Sequence, residues 1–224
     1  LLLGELITRL DLPPGTISIL PCENDLAEYM VRDPRIQALS FTGSAVVGWS
    51  LKNKAGKKRV ALELGGNAAV IVEPDADLQL AAQRCAIGGL SYSGQTCISV
   101  QRVYIHHEVY DQFLRYLLEK VRTIPTGDPL NESTIVGPLI DEKAATRVEA
   151  WIQEAVAQGA DCLIGGTRKG TIIDPTVLAN IKPTMKVSCE EVFGPVITVS
   201  WYQNYEEALR EVNNSPYGLQ AGVF

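Results

Sequence analysis

The 224-residue chain has no basic run, and its net charge is −6. Without clustered Lys and Arg interleaved with aromatics it lacks the electrostatic footprint for nucleic acid or for an anionic membrane surface. Long hydrophobic runs are missing too. Nothing approaches the roughly 20 apolar residues of a membrane span, and the best stretch, Ala61 to Val72, is broken by Glu63 and Gly65-Gly66. The five cysteines (Cys22, Cys85, Cys97, Cys162, Cys189) include no CxxC pair. That argues against a disulfide framework or zinc site and for reduced thiols in a cytoplasmic protein. The two histidines, His106 and His107, are adjacent and have no ligand partner four residues on, so they read as surface residues and no metal is expected. There is no initiator Met. The chain opens on Leu1-Leu2-Leu3 and closes on Ala221-Gly222-Val223-Phe224, which reads as part of a longer protein.

Apolar residues make up 46% of the chain and charged residues 21%, a globular balance with enough length for one or two closely packed domains. Helical spacing covers residues 1–10, Asp25 to Met30, and the segments after Pro74, after Glu108 and after Asp141. Apolar runs of strand length fall at Thr16 to Leu20, Ile36 to Phe41, Lys58 to Leu62, Ala68 to Val72, Val100 to Ile105, Asp161 to Ile164, Thr171 to Leu178 and Val196 to Tyr202. Such alternation predicts an α/β protein, a three-layer arrangement with a largely parallel sheet flanked by helices. Cys85 falls on the inner face of a helix, and Cys162 is expected to pack within a sheet. Gly88-Gly89 and Ser93-Gly94 are expected to loosen the chain ahead of Cys97. Asn204 with Glu207 forms a capping box for a helix over Tyr205 to Asn213.

Two short stretches carry chemistry. The first is the turn after Phe41, Thr42-Gly43-Ser44-Ala45-Val46-Val47-Gly48, which opens a helix. Strand, glycine turn and helix present backbone N–H groups to a phosphate. Trp49 stands where a P-loop needs Lys, and Ala45 where the dinucleotide fingerprint needs Gly. A nonstandard pyrophosphate turn and a plain βα turn with Ser44 near the N-cap both fit. The second stretch holds Glu63, before Gly65-Gly66, and Cys97, after Ser93-Gly94-Gln95-Thr96. A thiol that attacks an aldehyde forms a thiohemiacetal, and hydride loss turns this into a thioester. A carboxylate can then prepare water to cleave it. The structural alternatives, a small core cysteine and a solvated turn glutamate, stand beside this reading.

Five motifs in order resemble the aldehyde dehydrogenase superfamily: Phe41-Thr42-Gly43-Ser44, Leu62-Glu63-Leu64-Gly65-Gly66, Gly94-Gln95-Thr96-Cys97, Glu190-Glu191-Val192-Phe193-Gly194-Pro195 and Asn213-Asn214-Ser215-Pro216-Tyr217-Gly218-Leu219. The resemblance covers essentially the whole chain. It implies an NAD(P)-dependent oxidation of a small aldehyde to a carboxylic acid, with Cys97 as nucleophile and Glu63 as general base for thioester hydrolysis. The Cys97 backbone N–H would form half of the oxyanion hole. Gly43 and Ser44 would lie at the cofactor pyrophosphate, with Gly48 closing the turn. Leu64 would contact the nicotinamide amide through its backbone, Glu191 would bond the nicotinamide ribose, and Phe193 would pack beside it. NAD and NADP stay open, and a homo-oligomer is implied.

By the same resemblance residues 1–64 end a dinucleotide-binding domain and 65–224 form an incomplete catalytic domain. The family's side-chain oxyanion donor, the first half of its dinucleotide-binding domain and the Lys at the adenosine ribose would lie upstream of this chain, so the chain alone is expected to bind cofactor poorly or not at all. Cys97-Ile98-Ser99-Val100-Gln101-Arg102 resembles members acting on short oxygenated aldehydes, and the neutral Thr96 speaks against a strongly anionic one. Two alternatives remain. One is a CoA-acylating semialdehyde dehydrogenase, against which Glu63 argues; the other is a truncated chain acting only as a non-catalytic module.

Overall fold

The computed structural model describes residues 2–224. The chain separates into two units, one ending at Leu64 and the other running Gly65–Phe224.

In the first unit the helices are α1 (Leu2–Thr8), α2 (Asn24–Arg32) and α3 (Ala45–Lys54), and strands β1 (Ala38–Thr42) and β2 (Arg59–Glu63) pair in parallel. Thr42 lies opposite Glu63, and Gly43 N–H continues the ladder by donating to the Glu63 carbonyl at 3.0 Å. Gly48 lets the α3 backbone approach, since a Cβ there would come within 2.4 Å of Leu64 Cδ2. The strand expected over Thr16 to Leu20 is absent. No described strand pairs with that alternating segment, and alternation without a ladder partner leaves irregular chain. Among the described residues of this unit only Val31, Gly48 and Ala55 are buried.

In the second unit the order is β3 (Ala68–Val72), α4 (Leu78–Leu90), a 3-10 turn (Ser91–Gly94), β4 (Val100–His106), α5 (Tyr110–Arg122), α6 (Glu142–Ala157), β5 (Asp161–Ile164), β6 (Arg168–Lys169), β7 (Ile172–Ile173), β8 (Thr176–Ala179), α7 (Lys186–Cys189), β9 (Val196–Tyr202), α8 (Tyr205–Asn213) and β10 (Ala221–Val223). Six strands form one sheet in the order β10-β3-β4-β9-β8-β5, parallel except for the β5–β8 pair. All five residues of β3 are buried, as a strand covered on both faces requires. Val70, Val72, Val103 and Ile105 pack with Ala82, Cys85, Phe113 and Leu117 from α4 and α5. On the other face Ala69, Ile71 and Tyr104 meet Ala208 of α8, while Leu178 and Val196 meet Val148 and Ile152 of α6. The α/β three-layer expectation holds.

Local departures have clear causes. The strand expected over Thr171 to Leu178 is two strands, because Pro175 lacks an N–H and Asp174 N–H turns aside to the Thr167 carbonyl. Cys162 is exposed, not packed, because β5 is the edge strand of the sheet. Gly88 and Gly89 do not loosen the chain. They lie inside α4, and a Cβ on Gly89 would meet Ile197 Cγ1 and the Val100 carbonyl at 2.6 Å, so glycine here seats helix on sheet. Asn204 caps α8 by accepting from Glu207 N–H at 3.0 Å, but the return bond reaches Gln203 N–H and not the cap's own.

Candidate active site

In an open parallel sheet the segments entering the strands and those leaving them lie at opposite edges, and ligands usually sit at the leaving edge. Here the motif residues of the second unit cluster at the entering edge. Gly65, Gly66 and Asn67 precede β3, Cys97 precedes β4, Glu191 to Pro195 precede β9, and Ser215 to Gln220 precede β10.

Gly65-Gly66 is the junction of this cluster. A Cβ on Gly66 would lie 2.0 Å from the carbonyl oxygen of Cys97, and one on Gly65 would lie 2.4 Å from Glu191 Oε2. Glu191 Oε1 accepts from Gly66 N–H at 2.8 Å. One two-residue turn therefore touches both the partly exposed Cys97 and the Glu191 carboxylate; a side chain at Gly66 would strike backbone, and one at Gly65 would displace the carboxylate. Burial raises the Glu191 pKa, against the pull of the Gly66 N–H and of the Arg147 charge. Burial lowers the Arg147 pKa in turn, while its Nη2 donates to the Val192 carbonyl at 2.8 Å. Phe193, two residues beyond Glu191, is partly exposed at φ +48°, a left-handed conformation that a bulky side chain rarely adopts.

The approach to Cys97 is a strained turn. Tyr92, Ser93 and Gly94 follow one another at φ +53°, +60° and +67°. Left-handed non-glycine residues cost about 1–3 kcal/mol each and persist only where their surroundings hold them. Buried Ser93 is held through its hydroxyl, which donates to the Gly137 carbonyl at 2.8 Å and accepts the Gly137 N–H at 2.9 Å. Gly94 lies against the Gly194 carbonyl, 2.0 Å from where a Cβ would stand. Gln95 Oε1 accepts from Ile140 N–H at 2.8 Å. These bonds and close contacts tie the turn to residues 137–140 and to Gly194.

In the first unit Gly43 follows β1 and Ser44 is the N-cap residue of α3, with its hydroxyl making no capping bond. The first helical N–H groups have no partner inside the helix. Glu63 ends β2 with its side chain exposed, and Leu64 follows, half-buried. Gly43, Ser44, Gly48, Glu63 and Leu64 thus gather in one unit, and Cys97, Glu191 and Phe193 in the other.

From sequence, Asn67 carries no individual role, and Gln101 and Arg102 figure only within the run that follows Cys97. Buried Gln101 and Arg102 lie inside an apolar strand, and that polar interruption was their signal. The Arg102 guanidinium donates to the carbonyls of Asn67, Glu211 and Val212 and to Tyr104 Oη, tying β4 to the end of α8. Asn67 Nδ2 donates to the Ser188 and Glu190 carbonyls at 2.7 and 3.2 Å. The histidines do have a neighbour: ligand atoms of His106, His107 and Glu108 lie within 4.8 Å of one another, with His106 partly buried against the Tyr202 ring. No described helix is long and apolar enough to cross a membrane.

Comparison with known proteins agrees with the geometry. The model of the aldehyde dehydrogenase family matches residues 1–224. A 3-sulfolactaldehyde dehydrogenase of Priestia aryabhattai is 42% identical over 223 residues, 99% of this chain and 47% of the relative. Among solved structures, a Mycobacterium tuberculosis aldehyde dehydrogenase complexed with NAD+ superposes with a TM-score of 0.94 at 33% identity, covering 100% of this chain and 48% of that one. An NADP-dependent glyceraldehyde-3-phosphate dehydrogenase from Bacillus halodurans, complexed with NADP, gives 0.95 at 36% identity, with 99% and 46% covered. The chain spans about half the length of the curated relatives it matches. On sequence and fold together, it belongs to the aldehyde dehydrogenase family.

Proposed function

We propose that the protein takes part in oxidation of an aldehyde to a carboxylic acid with NAD or NADP, through a thiohemiacetal and then a thioester on Cys97. The observation that carries this reading is the Gly65-Gly66 turn, which touches the Cys97 carbonyl on one side and the Glu191 carboxylate on the other. Family membership supports it, as do the similar structures that hold NAD+ and NADP.

Taken unit by unit, the residues suit parts of a dinucleotide. Ser44 and the opening of α3 offer a hydroxyl and N–H groups without intrahelical partners for a pyrophosphate. Leu64 would meet the nicotinamide amide through its backbone and Phe193 would pack beside the ring. Glu191 has only one oxygen committed, to Gly66 N–H, so the other can accept ribose hydroxyls. Bound there, the cofactor supplies the acceptor for the hydride.

Cys97 attacks the carbonyl carbon as thiolate, forming the C–S bond, and its own N–H donates to the oxygen that gains charge. Departure of the C–H electron pair as hydride leaves the thioester. Glu63 then takes a proton from water, whose oxygen adds to the thioester carbon. The C–S bond breaks, freeing the acid and returning Cys97 as thiolate, and Glu63 releases to solvent the proton it took from water.

The test is the appearance of NADH or NADPH with a panel of short oxygenated aldehydes, in a polypeptide of the relatives' full length carrying this sequence. The relatives' names put anionic members, such as sulfolactaldehyde, in the panel beside neutral ones. Cys97→Ala should abolish turnover. Glu63→Gln should retain a first burst of reduced cofactor and slow steady turnover by about 10²-fold or more. Turnover that survives Cys97→Ala, or that requires CoA, overturns the reading.

A further inference from the structure

Glu191 lies in the irregular stretch between α7 and β9. A carboxylate on such a segment keeps its aim only if the main chain around it is bonded elsewhere. Gln101, reaching across from β4, provides those bonds. Its buried side-chain amide donates to the carbonyls of Val187 and Glu190 at 2.9 and 2.7 Å, and its oxygen accepts the N–H of Val192 at 3.0 Å. The two inner contacts fall on the residues immediately before and after Glu191. Glu191's own N–H donates to the Tyr217 hydroxyl at 3.3 Å. From the other side Asn67, next to the Gly66 that holds the carboxylate, donates a second bond to the Glu190 carbonyl.

An apolar residue in place of Gln101 would suit the surrounding strand, where Val103 and Ile105 are core residues and Val100 packs against the core. It would leave the Val187 carbonyl and the Val192 N–H without the partner that Gln101 supplies, and the Glu190 carbonyl with the Asn67 bond alone. That concentration of bonds on the flanks of Glu191 is what the fold of the sheet does not require.

We propose that Gln101, with Tyr217, is a positioning residue: it fixes the peptides on either side of Glu191 and so sets the affinity for the nicotinamide ribose half of the cofactor. The inference rests on the reading of Glu191 as the ribose-holding residue. It assigns no chemistry to Gln101, which acts only through Glu191.

The experiment is calorimetric titration of the full-length polypeptide with two probes, NAD and AMP, since AMP carries no nicotinamide ribose. If the protein takes NADP, the pair becomes NADP and adenosine 2′,5′-bisphosphate. Gln101→Met, which keeps the shape and removes three bonds, should weaken NAD about tenfold, the scale of one or two lost hydrogen bonds near a charged group. Tyr217→Phe should weaken it severalfold, and neither should move AMP. Glu191→Ala separates the two readings. If it leaves NAD binding intact, the ribose role of Glu191 falls and the inference with it. If it weakens NAD while Gln101→Met and Tyr217→Phe do not, the positioning role alone falls. Equal weakening of NAD and AMP in Gln101→Met would mean a general disturbance of the fold and would also overturn the proposal. Should Gln101→Met fail to fold, Tyr217→Phe, which keeps the ring, decides.

Discussion

Gly65 and Gly66 sit side by side, yet an added methyl group would meet different obstacles. At Gly66 it would strike the Cys97 backbone carbonyl, at Gly65 the end of a flexible glutamate side chain. Gly66→Ala should therefore destabilise by about 3 kcal/mol or more, since a strand-leading peptide must shift. Gly65→Ala should cost clearly less, because Glu191 can swing aside, though at the expense of its bond to Gly66. Urea unfolding of both variants checks the order, and equal losses would contradict it. Cys85 offers a second residue-scale prediction. Burial pushes its thiol from 9.0 up to about 12. A raised folded-state pKa leaves its contribution to stability intact below pH 9 and removes it as pH climbs toward 12, where the unfolded chain ionises first. Stability followed across that window should fall less steeply in Cys85→Ala than in the wild type. In the native protein at neutral pH, iodoacetamide should reach the partly exposed Cys97 and spare Cys85.

At the scale of elements, α4 and α6 of the second unit start on side-chain caps. Asp141 accepts from Ala144 N–H at 2.7 Å, and Asp77 from Leu80 N–H at 3.0 Å. At the other end of α6, Gly159 at φ +101° allows Ala160 N–H to reach the Ala155 carbonyl and its own N–H the Val156 carbonyl, a complete Schellman closure. Asp141→Ala should cost about 1 kcal/mol in thermal or urea unfolding. These ends were legible beforehand, because capping depends on side chains within one helical turn. The split of the Thr171–Leu178 segment was partly so, since Pro175 was in plain view. The true role of Gly88-Gly89 was not. A glycine that admits a neighbouring strand and one that frees the chain look identical until Ile197 arrives from more than a hundred residues away.

For the whole molecule, burial is distributed unevenly between the units. The second unit carries three apolar clusters and a six-stranded sheet, while the described part of the first has two paired strands and three buried residues. Local stability follows buried apolar contact. Backbone amides of β1 and β2 should therefore exchange with deuterium well before those of β3, β4 and β9, as mass spectrometry of peptic fragments would show. Comparable protection in both would mean that the first unit gains stability from a source other than its own core.

Strand and helix alternation, the five ordered motifs and the strand–turn–helix at Gly43 were determined by the sequence itself, because periodicity, turn chemistry and residue type are local properties. Tertiary structure decided the rest. It set the entering edge of the sheet as the place where the second unit's motifs meet, and it turned Gly65-Gly66 from a flexible bend into a contact point for a carbonyl and a carboxylate. It also drew Gln101, Asn67 and Tyr217 around Glu191. Those roles depend on groups tens to more than a hundred residues apart, and nothing in the local pattern of a chain says which distant carbonyl a buried amide will meet.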